Sequence, residues 1–103
     1  SWLETRKAIS DFGTFQKNTG IPVTFIIFPV LFKLDKYPFV AEQNKVTKEL
    51  ESNGIEYISL LPLLSEYKGP ELWVHPTDQH PNEIVHHIVA GVLVNRLFYL
   101  IEN

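Results

Sequence analysis

Three segments of the chain place apolar side chains at the three- and four-residue spacing of an amphipathic helix. They cover residues 2–17, 40–52 and 83–101, and the last of them has the widest apolar face. The first two are followed by Gly20 and Gly54, and glycine most readily takes the left-handed conformation that closes a helix. The pattern therefore predicts three helices, two of them with a defined end.

Each of these glycines is followed by a run of residues that predicts a β-strand. Residues 21–28 are nearly all apolar, which is typical of a strand buried on both faces in a parallel sheet. Residues 55–60 alternate between apolar and polar, which favours a strand at a sheet edge with one wetter face. Because a helix, a glycine and a strand follow one another twice, we expect two αβ units of one sheet.

The order of these elements predicts an α/β fold, part of a three-layer αβα sandwich of flavodoxin-like type. Residues 1–103 supply two strands and three helices in this prediction, and residues 61–82 form a loop. Two parallel strands are fewer than the roughly three that a self-sufficient sheet needs. We therefore expect these residues to be the C-terminal part of one larger domain. The alternative is that a second copy of the chain supplies the missing sheet edge.

Composition and charge exclude several classes of function. The chain has 9 Lys and Arg against 12 Asp and Glu, a formal net charge of -3, so it has no basic surface for nucleic acid. It contains no cysteine, which excludes disulfides and thiolate ligands. The longest apolar run, residues 21–34, is interrupted by Pro22 and Pro29 and is too short for a membrane span. We expect no membrane span.

The polar chemistry of the chain concentrates between the second predicted strand and the last helix. His75, Asp78 and His80 lie close together there, and Pro81 preorganises the first turn of the following helix. Open α/β sheets place their sites beyond the carboxyl ends of the strands. An aspartate beside an imidazole orients the ring and stabilises its charged form, as in a Ser-His-Asp triad. Asp78 and His80 are therefore candidate catalytic residues.

Two other interpretations of this stretch stay open. Asp78 can simply bond the backbone of its own turn, with Asn82 as the cap of the last helix. The stretch can also hold a metal, since imidazole and carboxylate suit zinc, nickel and iron, although the spacing matches no strong metal signature. The ligands would then be His75, Asp78, His80 and either His86 or His87.

Residues 74–82, Val-His-Pro-Thr-Asp-Gln-His-Pro-Asn, resemble the last conserved block of the SGNH, or GDSL-type, hydrolase family. In that family the block supplies the triad Asp and His, and a closing helix rich in Ala, Ile and Leu follows it. Residues 84–93 are similar to that helix. Residues 20–29 and 54–62 look like the fourth and fifth strands of the family. The resemblance thus covers essentially the whole chain.

The resemblance implies that His80 is the catalytic base of a serine ester hydrolase and Asp78 its orienting acid, with no metal and no organic cofactor. The family usually spaces this pair as Asp-x-x-His, whereas this chain has Asp-x-His. The Gly-Asp-Ser nucleophile block, the oxyanion-hole glycine and the Gly-x-Asn-Asp block of the family are absent from residues 1–103. We therefore expect the chain to be inactive alone.

The resemblance also implies partners and a location. By resemblance the substrate would be a small-molecule or carbohydrate ester. The first predicted strand is long, apolar and unpaired on one side, so we also expect the chain to associate with the missing N-terminal half or with itself. Family members are often exported, so an extracytoplasmic or secreted protein is expected. The aromatic stretches at residues 28–32 and 37–39 follow the first predicted strand at its C-terminal end. They either line a substrate pocket or belong to the core or to the contact with the missing half, and we favour the latter. The alternative function is a non-catalytic protein-interaction module on the same fold.

Overall fold

The structure is a computed structural model that describes residues 1–102, with the backbone alone at Glu102. The described residues form four α-helices and four β-strands, arranged as one parallel pair and one antiparallel pair of strands. The chain is therefore of mixed α/β class, as predicted. It divides into two compact units: Ser1–Ile27 with Pro38–Ser59, and Phe28–Tyr37 with the residues from Leu60 onward.

The first unit contains two helices and two parallel strands. Its elements are α1 (Trp2–Thr19), β1 (Thr24–Ile27), α2 (Val40–Ser52) and β2 (Glu56–Ser59). Strand β1 pairs with β2 in parallel, with Thr24 opposite Glu56 and Ile27 opposite Ser59. The two predicted αβ units of one sheet are confirmed.

The predicted glycines follow the ends of both helices of the first unit: Gly20 is the C-cap of α1, and Gly54 comes directly after Asn53, the C-cap of α2. Gly20 and Gly54 have φ angles of 71° and 67°, in the left-handed region that side chains rarely adopt. The Gly20 N–H donates to the carbonyl of Gln16 at 2.9 Å. The Gln16 side chain then ties the two post-helix segments together: it donates to the Gly54 carbonyl at 2.9 Å and accepts from the Val23 N–H at 2.8 Å.

The core of the first unit lies between the helices and one face of the strand pair. Ile9 of α1, Leu50 of α2 and Ile55 before β2 are buried together. Phe25 and Tyr57, which are opposite each other in the register, pack against them from the strands. Burial of these apolar side chains is what stabilises the unit.

The prediction that the first strand is buried on both faces is wrong for this chain. All four residues of β1 are half-buried. Side chains alternate between faces, so Thr24 and Ile26 lie on the face opposite Phe25. There the Thr24 hydroxyl donates to Glu56 Oε2 at 2.6 Å, which is a polar cross-strand pair. An apolar run alone therefore overstated the burial of this strand.

The second unit contains short elements followed by one long helix. They are two 3₁₀ helices (Leu34–Lys36 and Gly69–Leu72), α3 (Leu61–Leu64), the strands β3 (Trp73–His75) and β4 (Asp78–Pro81), and α4 (Glu83–Glu102). The predicted loop over residues 61–82 is wrong, and so is the count of two strands and three helices. The missed strands have three and four residues, too few for apolar periodicity to reveal them.

Close packing in the second unit is centred on the segment before β3. Leu64, Leu72 and Val85 have no exposed surface. Gly69 approaches the backbone of Leu31 so closely that a Cβ atom there would lie 2.4 Å from the Leu31 carbonyl oxygen. This unit therefore has a small core of its own.

Most of α4 contributes little to that core. Its C-terminal half exposes an apolar set: Leu93, Val94, Leu97, Phe98, Tyr99, Leu100 and Ile101. By length and composition, the helix Glu83–Ile101 is long and apolar enough to cross a membrane, and 6% of it is buried. The core helix of a soluble protein can be equally long and apolar, so the expected absence of a membrane span stays a prediction.

Candidate functional site

The candidate site is built on the β3–β4 hairpin that precedes α4. His75 is opposite Asp78 in the antiparallel register, and Trp73 is opposite Pro81, with an irregularity between the two pairs. The hairpin turns at residues 76–77, so His75 and Asp78 flank the turn. His80 follows Asp78 by two positions on β4.

The structure brings the two predicted catalytic residues into direct contact. His80 Nδ1 lies 2.5 Å from Asp78 Oδ1, and the backbone N–H of His80 donates to the same oxygen at 3.1 Å. The short Asp-x-His spacing therefore allows the ring and the backbone to share one carboxylate oxygen. The predicted turn bond of Asp78 to its own backbone is present as well, and it accompanies the ring contact.

The charge state of Asp78 determines which ring nitrogen of His80 carries the proton. The hydrogen bond from the His80 ring lowers the pKa of Asp78, and the backbone N–H of His80 lowers it further. Asp78 is therefore a carboxylate at neutral pH and only accepts hydrogen bonds. In the neutral ring of His80 the proton consequently lies on Nδ1, and Nε2 has a free lone pair.

His75 has the opposite arrangement, although it lies on the same hairpin. Its Nδ1 accepts the backbone N–H of Thr77 at 3.2 Å and lies 2.9 Å from the Thr77 hydroxyl. A nitrogen that accepts from a backbone N–H carries no proton, so neutral His75 is protonated on Nε2. Of these two histidines, only His80 has a carboxylate partner that prepares its Nε2 as a base.

The Asp–His pair is open to solvent. The side chain of His80 is 85% exposed and that of Asp78 is 45% exposed. Within residues 1–102, the His80 ring has no hydrogen-bonding partner other than Asp78. The hydroxyls of Ser52 and Ser65 bond to carbonyl oxygens of their own helical turns. Neither of these hydroxyls supplies a nucleophile to the pair.

The alternative metal site has no support in the described part of the chain. No group of three His, Cys, Asp or Glu side chains there lies close enough together to hold a metal ion. His86 and His87 are consecutive residues of α4 and so lie about 100° apart around the helix axis. The proposed ligand set is therefore not assembled.

A cavity of about 480 Å³ lies in the second unit. Its apolar and aromatic lining includes Leu31, Phe32, Tyr67 and Trp73. Leu31 and Phe32 line this cavity, so these two residues fit the pocket interpretation of residues 28–32, one of the two that the sequence left open. No pocket role was predicted for Trp73, although it stands two residues before His75 at the start of the stretch singled out for its polar chemistry. Its indole N–H donates to the Leu31 carbonyl at 2.9 Å and fixes one wall of the cavity.

Comparisons of the chain with protein-family models, with curated proteins and with solved structures give no match. The comparisons therefore assign no family and no activity. The structure itself defines a mixed α/β chain with an exposed Asp–His pair on the hairpin before its last helix. The chemistry of that pair is the basis for a functional proposal.

Proposed function

We propose that the chain is the C-terminal part of an SGNH-type serine ester hydrolase, to which it supplies Asp78 and His80. The observation that carries this proposal is the 2.5 Å contact between His80 Nδ1 and Asp78 Oδ1. That contact leaves Nε2 as the only ring atom able to take a proton from a nucleophile. The parallel β1–β2 pair is consistent with a partial flavodoxin-like αβα sheet.

In this proposal the nucleophilic serine comes from outside residues 1–103. His80 Nε2 takes the serine proton as the serine oxygen attacks the ester carbonyl, and Asp78 stabilises the imidazolium that forms. His80 then gives the proton to the departing alcohol. A water molecule, deprotonated by the same nitrogen, releases the acid and restores the serine.

The exposed surfaces of the chain fit association with the rest of such a domain. In the described residues each strand of the parallel pair has a single hydrogen-bonded neighbour. The apolar residues of α4 are also uncovered, and exposed apolar patches of this kind mark interaction surfaces. We propose that the N-terminal half of the domain covers them. Self-association of the chain is the alternative.

The test is mutagenesis in the complete enzyme, assayed with an activated acetate or butyrate ester. His80→Ala should lower kcat by roughly three or more decades, because the serine is no longer deprotonated. Asp78→Asn should lower kcat strongly, because the proton is no longer held on Nδ1. The matched control is His75→Ala, which removes an imidazole from the same hairpin and should cost far less. A fully active His80→Ala enzyme would contradict the proposal.

A non-catalytic interaction module is the second candidate, and the uncovered apolar residues of α4 favour it. The two functions differ in what must accompany the chain. A hydrolase needs a Gly-Asp-Ser segment after a predicted strand in the polypeptide upstream of Ser1. A module needs none, and His80→Ala and Asp78→Asn would leave its partner binding unchanged.

A further inference from the structure

Asn82 uses every polar group it has to fix the junction between β4 and α4. Its side-chain oxygen accepts the Ile84 N–H at 2.9 Å, which is the bond of a helix N-cap. Its side-chain amide donates to the carbonyls of Glu71 at 2.8 Å and Trp73 at 3.2 Å. Its backbone N–H donates to the carbonyl of Leu72 at 2.9 Å.

Three of these bonds clamp Asn82 to the carbonyls of consecutive residues 71–73, where the second 3₁₀ helix passes into β3. The clamp is anchored on both sides, because Leu72 and Val85 are fully buried. His80 is joined to Asn82 through Pro81, whose ring fixes φ, and Pro81 is itself opposite Trp73 in the β3–β4 register. Beside the β3–β4 pairing, the His80 backbone is thus held from two residues away by an amide that hydrogen-bonds to neither His80 nor Asp78.

We propose that Asn82 is the positioning residue of the candidate dyad: its side-chain amide holds β4 where His80 meets Asp78. This inference deepens the proposed function and rests on it. A helix cap needs only the side-chain oxygen, which Asp or Ser also provides. The two amide donations to residues 71 and 73 are additional, and they distinguish a positioning residue from a cap.

The side-chain chemistry separates the two roles. Asn82→Asp keeps an oxygen for the Ile84 N–H but places a second, negatively charged oxygen against the two carbonyls that the amide now contacts. Asn82→Ser keeps a cap oxygen, lacks the amide and adds no charge. A matched control is Asn53→Asp in the first unit, where the Asn53 amide donates to the Glu49 carbonyl at 2.9 Å.

The experiment has one readout that needs no activity. The chain is labelled with ¹⁵N-histidine, and the ring nitrogens of His80 are recorded at about pH 8, above the ordinary histidine range. Asn82→Asp and Asn82→Ser should retain α4, measured by circular dichroism, while the His80 ring shifts from the Nδ1-protonated form toward a mixture. Asn53→Asp should leave the His80 ring signals unchanged.

In the complete enzyme, Asn82→Asp should lower kcat by roughly tenfold to hundredfold, because a displaced base is a poor proton acceptor. KM should change by less than about twofold, since the residue does not bind substrate. If Asn82→Asp does not fold, the His80 ring signals, kcat and KM of Asn82→Ser test the assignment instead.

Wild-type His80 ring signals in a folded Asn82 variant, or equal changes in the Asn53→Asp control, would overturn the assignment of Asn82. That result leaves the hydrolase proposal intact. Full activity of His80→Ala would instead refute the hydrolase proposal, whatever the Asn82 variants show.

Discussion

The two strand pairs of this chain are of similar length but are stabilised by different interactions. The β1–β2 pair carries apolar side chains that pack with α1 and α2, and its residues Phe25 and Tyr57 belong to a buried cluster. The β3–β4 pair carries polar side chains, and His75, Asp78 and His80 bond to groups within the hairpin itself. The first pair is held by burial, whereas the second is held by local hydrogen bonds.

This difference indicates where stability and chemistry reside. Burial contributes in proportion to apolar area, so the first pair should be sensitive to loss of volume. Exposed polar contacts contribute little to stability, so changes in the second pair should leave the fold intact and affect the proposed catalytic role instead.

Truncation in the first unit should have the largest effect on stability. Leu50 is fully buried between α2 and the strands, so Leu50→Ala should lower the free energy of unfolding by about 2–5 kcal/mol. Leu3→Ala is the matched control, because Leu3 is 74% exposed, and it should change stability by less than about 0.5 kcal/mol. Urea unfolding followed by circular dichroism measures both. Equal effects of the two substitutions would contradict the assigned core.

Two glycines of the second unit should respond to alanine with opposite signs. A Cβ atom at Gly69 would meet the Leu31 carbonyl oxygen at 2.4 Å, so Gly69→Ala should destabilise by about 1–3 kcal/mol. Gly91 lies within α4 with no atom within 4 Å of such a Cβ. Gly91→Ala should therefore stabilise by about 0.5–1 kcal/mol, because alanine is the better helix former. Thermal unfolding of both variants checks the signs, and two effects of the same sign would refute this packing.

The smallest effect on stability is expected at the hairpin, where it depends on pH. The His80 hydrogen bond lowers the pKa of Asp78, so the pair stabilises the folded chain above the ordinary carboxyl range. That contribution is lost as the pH falls through the lowered pKa of Asp78. The carboxyl ¹³C shift of Asp78, followed against pH, should give a midpoint below the ordinary aspartate value.

Two variants test whether His80 causes the lowered pKa of Asp78. His80→Ala should raise the Asp78 midpoint toward the ordinary value, because the largest cause of the shift is removed. His75→Ala should leave the midpoint in place. If His80→Ala leaves the titration midpoint of Asp78 unchanged, the two side chains do not form this hydrogen bond in solution.

The long elements of the fold were predictable from the sequence, because their signals are local and repeated. Helix α2 was predicted over residues 40–52 and is found at Val40–Ser52, with Gly54 in the left-handed conformation that the stop signal implied. The parallel pairing of β1 and β2 followed from the repeated helix–glycine–strand order. Apolar periodicity and the glycine stop signals were sufficient to predict α2 and the β1–β2 pair.

The residues of the candidate site were predictable from the sequence, whereas the secondary structure that carries them was not. The sequence singled out Asp78 and His80, but the hairpin that carries them was predicted as loop. The segments that flank its strands are joined by contacts between positions that periodicity does not connect, such as the Asn82 amide with the Glu71 carbonyl. Burial of β1 was overstated for a related reason, since the polar Thr24–Glu56 pair depends on strand register.

The proposed role of His80 as a base depends on which of its ring nitrogens carries the proton. The ring ¹⁵N shifts of the unmodified chain, recorded at about pH 8, report the protonated nitrogen of each histidine separately. We predict the proton of His80 on Nδ1, facing Asp78, and the proton of His75 on Nε2. A proton on Nε2 of His80 would leave that ring without a free base at the exposed nitrogen and would contradict the proposed catalytic pair.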